Sequence, residues 1–264
     1  MAGASLPSPA ARPHGVDARA KLLAALPPLV AGIVFLVGWE IIVRALALPN
    51  FVLPSPSEIV AAAARDPAAL LHDALTTFGE AMGGYIAGTI LGLLLAVIFV
   101  GVPFLERVAM PLYVTINSVP MIAYGPLAII WLGVGSASKV LLIAVAVSFT
   151  ILINTLAGLR SCDPGAVALL RSFGAGRVTI LRKLRVPTAL PQVCSGLRIA
   201  VVHSMILAVV LEMLGARAGL GWSVFKSTQM MGFVEAWTAV VVTVLVSLMV
   251  YSAVTWATRR LVWW

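Results

Sequence analysis

Residues 81–105 read AMGGYIAGTILGLLLAVIFVGVPFL and contain no charged side chain. A helix needs about 20 apolar residues to cross the hydrocarbon core of a bilayer, so this stretch predicts a membrane-spanning helix. A second charge-free run, residues 108–138, is too long for one straight span and is interrupted by Pro120, Gly125 and Pro126. Such interruptions are tolerated only where neighbouring helices or water in a cavity satisfy the freed backbone carbonyls. The two runs indicate an α-helical membrane protein.

The composition of the whole chain supports this fold class. Of 264 residues, 61% are hydrophobic and only 11% are charged, and the mean hydropathy is +1.06. Soluble domains carry about 25% charged residues, so this chain could not cover a surface that faces water. Intrinsic disorder, which needs low hydrophobicity and high charge, is also excluded. Two cysteines, Cys162 and Cys194, are too few for a disulfide framework.

The sequence predicts six transmembrane helices, over residues 27–48, 76–100, 108–131, 139–159, 195–215 and 234–258. With the N-terminus inside, thirteen of the eighteen Lys and Arg residues fall on the cytoplasmic side and five on the other. Cytoplasmic loops carry an excess of basic residues, so both termini are expected to be cytoplasmic. The net charge of +8 then reports topology, and nucleic acid is not an expected partner. The predicted domains are a cytoplasmic tail (1–26), the transmembrane domain (27–260) and a C-terminal end (261–264).

Two local features are predicted on the outer side. Ser57 is expected to cap a short connecting helix that has Glu58 in its first turn and lies at the membrane surface. Glu40 and Arg44 stand four positions apart and are expected to pair across one helical turn. We interpret this ion pair as structural.

Two glycines in the second span, Gly88 and Gly92, form a small-xxx-small step. Small residues at this spacing let two helix backbones approach closely in a membrane. From the sequence, that contact could lie within one subunit or between subunits.

The loop between the fourth and fifth spans, residues 160–191, is the only long loop predicted on the cytoplasmic side. Asp163 followed by Pro164 predicts a helix start, because aspartate caps helices and proline suits the first helical position. Residues 165–173 can form two to three turns, and Gly174 is expected to end them in left-handed geometry. Positions spaced by three form an apolar stripe on this helix: Val167, Leu170 and Phe173.

A basic segment, residues 177–186, follows the glycine turn. Pro187 and Pro191 are expected to end this segment in a corner before the fifth span. A short rigid helix with basic surroundings suits insertion into a groove of a soluble partner. Basic cytoplasmic loops also occur without a partner, lying on lipid headgroups, so the pattern alone leaves both interpretations open.

A series of motifs runs through this loop into the fifth span: Gly174-Ala175, Pro187, Ala189-Leu190-Pro191 and Gly196-Leu197-Arg198-Ile199-Ala200. This order resembles the EAA loop of permease subunits of ABC importers, roughly E-A-x-x-x-x-G-A, then V-x-L-P-x-A-L-P and G-L-R-x-A. The resemblance is strongest to the branch for taurine, alkanesulfonates, nitrate and thiamine-pyrimidine precursors, and it covers nearly the whole chain. Further matching motifs are Trp39-Glu40, Leu53-Pro54-Ser55-Pro56-Ser57, Thr77, Gly84-Tyr85, Pro126-Leu127, Trp131-Leu132-Gly133, Asn154-Thr155, Gly158-Leu159-Arg160, Glu212 and Gly219-Leu220-Gly221-Trp222.

The resemblance implies a type I ABC permease fold in the bacterial cytoplasmic (inner) membrane. Two copies of the chain would form one translocation path, each would dock one ATP-binding subunit, and an extracytoplasmic binding protein would deliver a small solute. The chain itself would bind no cofactor, since ATP and Mg would be used by the partner ATPase. The docking residues implied are Asp163, Leu170, Arg171, Phe173, Gly174, Ala175, Arg177, Pro187 and Pro191.

The chain departs from the family pattern at two positions. The glutamate expected six residues before the loop glycine is Ala168 here, so a salt bridge made by that glutamate is absent. Glu80 stands where many sulfonate-branch members carry arginine, which argues against an anionic solute.

Ionisable and polar residues inside spans are functional candidates by default, because burying them in a membrane is costly. For Glu212, a hydrogen bond to the glycine loop 215–221 is favoured over a role in the path, since Glu212 is expected near the solvated interface. His203 is expected to form a hydrogen bond between packed helices. The polar residues of the third and fourth spans either line the path or bond between helices. The candidate path residues are Asn117, Ser118, Pro120, Tyr124, Asn154, His203 and Glu212.

Enzymatic chemistry finds no support in the sequence. The phosphate-binding pattern G-x-x-x-x-G-K-[ST] is absent, so the chain is not expected to hydrolyse ATP. Neighbouring His203 and Ser204 point about 100° apart on a helix and form no catalytic dyad, and no His, Cys or acidic residues have metal-ligand spacing. The main alternative is a self-contained secondary transporter or channel, which would predict inverted repeats and charges near the bilayer midplane.

Overall fold

A computed structural model describes residues 18–261, so most of the predicted tail (1–26) lies outside the described residues. The described chain is helical, as predicted. Short helical turns also occur at Met121–Tyr124 (3-10) and Leu181–Arg185 (π). The α-helices are α1 (Ala18–Ala45), α2 (Pro56–Arg65), α3 (Pro67–Gly101), α4 (Pro103–Ser118), α5 (Gly125–Leu132), α6 (Ser136–Arg160), α7 (Pro164–Ser172), α8 (Arg177–Ile180), α9 (Val186–Gly215), α10 (Leu220–Gln229) and α11 (Phe233–Leu261).

Four helical stretches of the described chain are long and apolar enough to cross a bilayer: α3, α6, the continuous stretch Arg177–Gly215 and α11. α4 and the helical residues Met121–Leu132 pass the same test together, but they meet at an angle of 85°. The bend follows Val119 at Pro120, as the sequence predicts. Pro126 causes no second break, because it lies in the first turn of α5, where its missing N–H has no partner to lose. The six-span count stays a prediction.

The chain divides into two compact units, Met1–Glu58 and Ile59–Trp264. In the first unit, the Trp39 indole N–H donates to the carbonyl of Pro54 at 3.1 Å. The predicted pair of Glu40 with Arg44 is confirmed, with 2.6 Å between its charged atoms. Glu40 also accepts hydrogen bonds from the backbone N–H of Ser57 (3.0 Å) and from its hydroxyl (2.8 Å). α1 is therefore joined to the first turn of α2 by polar contacts around Glu40.

The cap of α2 differs from the prediction. Pro56 is the first helical residue, and the backbone N–H and hydroxyl of Ser55 each donate to Glu58 Oε2 at 2.9 Å. The Glu58 N–H donates back to the Ser55 hydroxyl at 3.4 Å, so the two residues form a capping box. These bonds from Ser55 hold the pKa of Glu58 below its usual range. The expectation that Ser57 is the cap is wrong, because Ser57 already lies in the first turn.

The core of the second unit forms where α3, α6 and α9 pack together. Three glycines of α3, Gly84, Gly88 and Gly92, face α6. A Cβ atom at Gly88 would lie 2.6 Å from the carbonyl oxygen of Ala144, and one at Gly92 would lie 2.5 Å from that of Ser148. Only glycine permits so close an approach of the two backbones. The small-xxx-small step therefore serves packing within one chain, which the sequence left open.

We expect Gly88→Ala to destabilise the protein by about 1–3 kcal/mol, because the added methyl group overlaps the α6 backbone. Gly79→Ala is the matched control, since a Cβ at Gly79 meets nothing within 4 Å and alanine favours helix. Thermal unfolding of both variants in detergent checks this expectation. Equal unfolding temperatures for the two variants would contradict the proposed role of the contact.

Candidate functional site

The helix predicted in the loop between α6 and α9 is α7, and it begins as predicted. The two carboxylate oxygens of Asp163 accept hydrogen bonds from the N–H groups of Gly165 and Ala166, each at 3.1 Å. Pro164 occupies the first turn, where its missing N–H costs nothing. This cap satisfies backbone donors that would otherwise lack partners at the start of the helix.

α7 ends at Ser172, and the turn that follows it contains Gly174, whose φ is +77°. The Gly174 N–H donates to the carbonyl of Arg171 at 2.9 Å, and the Ala175 N–H donates to that of Leu170 at 3.0 Å. These two bonds form a Schellman motif, with Phe173 as the C-cap residue. The predicted left-handed glycine is therefore confirmed. Because nothing lies within 4 Å of a Cβ built at Gly174, the need for glycine comes from the backbone geometry alone.

The apolar face that α7 exposes differs from the predicted stripe. Phe173 is 78% exposed and Leu169 is 57% exposed, whereas Val167 and Leu170 are half-buried against their own chain. Leu169 and Phe173 stand four positions apart and so share one face of the helix. Leu169 was missed by the sequence analysis because a spacing of three selected the neighbouring stripe. Just after the turn, Val178 is 67% exposed.

The predicted proline corner is wrong. The chain remains helical from Arg177 to Gly215, and both Pro187 and Pro191 lie inside α9. A π-helical turn over Leu181–Arg185 lies just before Pro187, with only Val186 between them. Its wider hydrogen-bonding pattern places the preceding carbonyls differently from those of an α-helix, which explains how the proline is accommodated. The two prolines therefore lie within the helix that continues towards Gly215.

Several basic side chains surround the α7 turn. Arg171 and Arg177 are exposed and Arg185 is half-buried, and all three line a cavity of about 440 Å³. Arg160, at the end of α6, forms an ion pair with Glu106 of α4. The segment thus combines an exposed apolar helix face with Arg171, Arg177 and Arg185, whose guanidinium groups form no ion pair among the described residues.

Glu212 lies at the opposite end of α9 and is completely buried. Its Oε2 atom accepts hydrogen bonds from the Gly221 N–H (2.7 Å) and the Thr77 hydroxyl (2.9 Å). The hydrogen bond to the glycine loop is therefore confirmed, while the expectation that water solvates Glu212 is wrong. Burial is complete because Gly219 packs on the carboxyl group, where a Cβ would lie only 2.4 Å from its carbon atom.

Two α3 side chains complete this network. Asp73 accepts hydrogen bonds from the Gly219 N–H at 2.9 Å and from the hydroxyl of Ser223. The Thr77 hydroxyl accepts one from the Leu220 N–H at 2.8 Å. Each backbone donor of residues 219–221 is thus satisfied by a side chain, and Gly219 itself has a φ of +110°. The network fixes the loop between α9 and α10 onto α3.

A second buried polar pair, between Glu80 of α3 and Lys139 of α6, was missed by the sequence analysis. The two residues are 3% and 5% exposed, and the Lys139 ammonium donates to Glu80 Oε1. Together with Thr76 and Arg217 they line a cavity of about 390 Å³. The sequence carried a usable signal, since the two charges have opposite sign and each borders a charge-free apolar run. The charge count along the chain treats Lys139 only as one of the five basic residues expected on the outer side.

The four polar candidates of the third and fourth spans bond to nearby backbone carbonyls. Asn117 and Ser118 donate to residues four positions earlier in α4, at 2.9 and 2.8 Å, and Asn154 does the same in α6 at 2.8 Å. The Tyr124 hydroxyl donates to a carbonyl of α4 at 3.3 Å. Pro120 is exposed at the bend that separates α4 from Tyr124. These residues therefore do not join α3, α6 and α9 by side-chain hydrogen bonds.

His203 is exposed on α9 and forms no hydrogen bond within the described part of the chain. The expectation that it bonds between packed helices is therefore wrong for one isolated chain. Among residues 18–261, no three His, Cys, Asp or Glu side chains lie together in a way that could hold a metal ion.

Comparison with known proteins identifies similar sequences along most of the chain. Residues 88–262 match the family described as binding-protein-dependent transport system inner membrane component. A probable ABC transporter permease of Haemophilus influenzae is 28% identical over 90% of this chain and 96% of its own length. The formylaminopyrimidine transport permease ThiX of Halalkalibacterium halodurans is 34% identical over 75% of this chain and 79% of its own. The taurine transport permease TauC of Escherichia coli is 32% identical over 60% of this chain and 54% of its own length.

A solved structure of the MetNI methionine ABC transporter, in an inward-facing conformation, shares the fold. The TM-score is 0.59 at 20% sequence identity, over 74% of this chain and 94% of that one. At this level of identity the similarity concerns the fold alone.

The buried ion pair of Glu80 and Lys139 is expected to be needed for the stability of the fold. Glu80→Gln should destabilise the protein by about 3–5 kcal/mol, because it leaves a buried ammonium group without its counter-charge. The double variant Glu80→Gln with Lys139→Met should recover most of this loss. Glu235→Gln is the control, since it breaks the exposed pair with Arg65 and should cost under about 1 kcal/mol. Thermal unfolding in detergent measures all three, and additive losses in the double variant would disprove the coupling.

Proposed function

Because the chain belongs to the family of binding-protein-dependent transport system inner membrane components, we propose that two copies of this ABC importer permease form one path for a small solute. A separate ATP-binding subunit docks on each copy and hydrolyses ATP with Mg, and an extracytoplasmic binding protein delivers the solute. ATP-driven closure of the two ATPases moves the loop helices and re-orients the spans, which gives alternating access. The observation that carries this proposal is the exposed, rigidly capped helix α7.

α7 has the properties of a docking element. Leu169 and Phe173 expose a contiguous apolar face, which is costly in water and marks a surface for a partner. Asp163 and Gly174 fix both ends of the helix, so little conformational entropy is lost on binding. An apolar helix face of this kind fits a hydrophobic groove, with the aromatic Phe173 as its anchor. Ala168 supplies no charge there, so the docking relies on packing more than on an ion pair.

We expect Gly174→Val to uncouple the ATPase from the permease. Valine is strained at a φ of +77°, at a cost of about 1–2 kcal/mol, so the end of α7 rearranges while the spans still insert. Gly176→Val is the control, because Gly176 has a φ of −71° and open space around it. Phe173→Ala should weaken docking without altering the backbone.

Copurification of the coexpressed ATPase and solute uptake measure this effect. Gly174→Val and Phe173→Ala should each lower both quantities at least tenfold, and Gly176→Val should lower neither. Normal copurification and uptake in both test variants would disprove the docking assignment.

We further propose six spans with both termini in the cytoplasm, since the 13-to-5 bias of basic residues favours this orientation. α1 covers the first predicted span, and the bent stretch Pro103–Leu132 supplies the third. In this arrangement the α7 turn lies inside and the turn at Met230 lies outside.

Cysteine labelling checks this orientation in a variant without the two native cysteines. Met230→Cys should react with a membrane-impermeant reagent added outside, because Met230 is 71% exposed. Ser172→Cys, which is exposed on α7, should react only after the membrane is opened. The reverse pattern would overturn the orientation.

The solute we propose belongs to the classes that the sequence resemblance implies: a taurine- or sulfonate-like anion, nitrate, or a thiamine-type pyrimidine. ThiX matches a larger share of this chain than TauC does. Glu80, which is neutralised by Lys139, adds no positive charge where sulfonate-branch members carry arginine, which supports the pyrimidine class. Titration of taurine and of a formylaminopyrimidine into the cognate binding protein distinguishes the two classes.

A further inference from the structure

The cavity at the base of the α7 loop is lined by positive charges that no acidic side chain of the lining balances. Arg171, Arg177 and Arg185 line it, and none of its lining residues is acidic. The Nε atom of Arg185 is buried and has no hydrogen-bond partner among the described residues. A buried guanidinium donor without an acceptor is costly, so an oxygen atom from outside the chain would stabilise it. A phosphate or carboxylate group suits this site, because arginine binds such groups through paired hydrogen bonds.

The rest of the lining shows where such an anion would lie. Val100 and Gly101 are the last residues of α3, a 35-residue apolar helix, and Pro103 starts α4. The cavity therefore lies where apolar helix surface ends and polar headgroups begin. Basic pockets beside the cytoplasmic ends of membrane helices are sites for anionic lipid headgroups.

We propose that this cavity binds the phosphate group of an anionic phospholipid of the inner leaflet, with its acyl chains along the end of α3. Arg171 and Arg185 hold the phosphate, and Arg177 adds positive charge at the mouth of the cavity. The placement in the inner leaflet rests on the orientation given under the proposed function; the binding itself does not. A lipid held here would fix the base of the α7 loop to the membrane surface.

Ala168 provides a way to test the site without removing an arginine. A second cavity of about 510 Å³ shares Arg171 and Arg185 with the first and is also lined by Ala168. Ala168→Glu should place a carboxylate beside these arginines and compete with the lipid phosphate. Arg182 is the matched control, because it belongs to the same segment, is exposed and lines neither cavity.

The experiment measures lipid binding to the full-length permease in detergent by native mass spectrometry. The probes are phosphatidylglycerol, phosphatidylcholine with the same acyl chains, and inorganic phosphate. The wild type should bind phosphatidylglycerol at least tenfold tighter than phosphatidylcholine, whose phosphate is neutralised by its own choline cation, which the three arginines repel. Arg171→Gln with Arg185→Gln should abolish this preference, Ala168→Glu should reduce it about tenfold, and Arg182→Gln should leave it unchanged.

Four results would overturn the proposal. They are equal binding of the two lipids, unchanged phosphatidylglycerol binding in both test variants, displacement of the lipid by millimolar inorganic phosphate, and loss of the ATPase from the double arginine variant with lipid binding intact. The third would assign the site to a free anion, and the fourth to an acidic group of the ATPase. Binding in detergent requires neither a membrane orientation nor a docked ATPase. A negative result here therefore leaves the proposed function standing, and failure of the proposed function would leave the lipid binding standing.

Discussion

The close approach of α3 to α6 is the constraint on which the rest of the second unit depends. Lipid tails are as apolar as leucine, so helices in a bilayer gain little from hydrophobic burial and associate through tight packing instead. Gly84, Gly88 and Gly92 provide a groove in which the α6 backbone lies nearly in contact with that of α3. This contact brings Glu80 within reach of Lys139, and it sets the surface on which α9 packs.

Polar contacts fix the position of the loop after α9, which helix packing alone does not determine. The network of Asp73, Thr77 and Glu212 binds every backbone N–H of residues 219–221, so the loop after α9 has one defined position on α3. A buried polar group of this kind is stable only when its partners are in place. The end of the unit around Glu212 is therefore held by specific hydrogen bonds, whereas α7, near the opposite end of α9, has an exposed apolar face.

The sequence predicted features that depend on local chemistry. The cap at Asp163, the left-handed Gly174 and the break at Pro120 each follow from one or two neighbouring residues, and all three are present in the structure. Features that depend on distant partners were missed or misplaced. The opposite charges of Glu80 and Lys139 are visible in the sequence, but their pairing depends on the packing of α3 against α6, and the burial of Glu212 depends on Gly219 covering it. Pro187 does not end the helix, because a π-helical turn accommodates it. No local sequence pattern indicates that turn.

The stretch Arg177–Gly215 has a consequence for mechanics. Its 39 residues correspond to a helical path of about 58 Å along the axis, which leads from the α7 turn to the Glu212 network without an interrupting loop. The π-helical turn at Leu181–Arg185 carries one extra residue in its hydrogen-bonded ring, and one residue corresponds to about 100° of rotation around the helix axis. The direction around the helix axis in which the chain of α7 and its Gly174 turn enters this stretch therefore depends on that one extra residue.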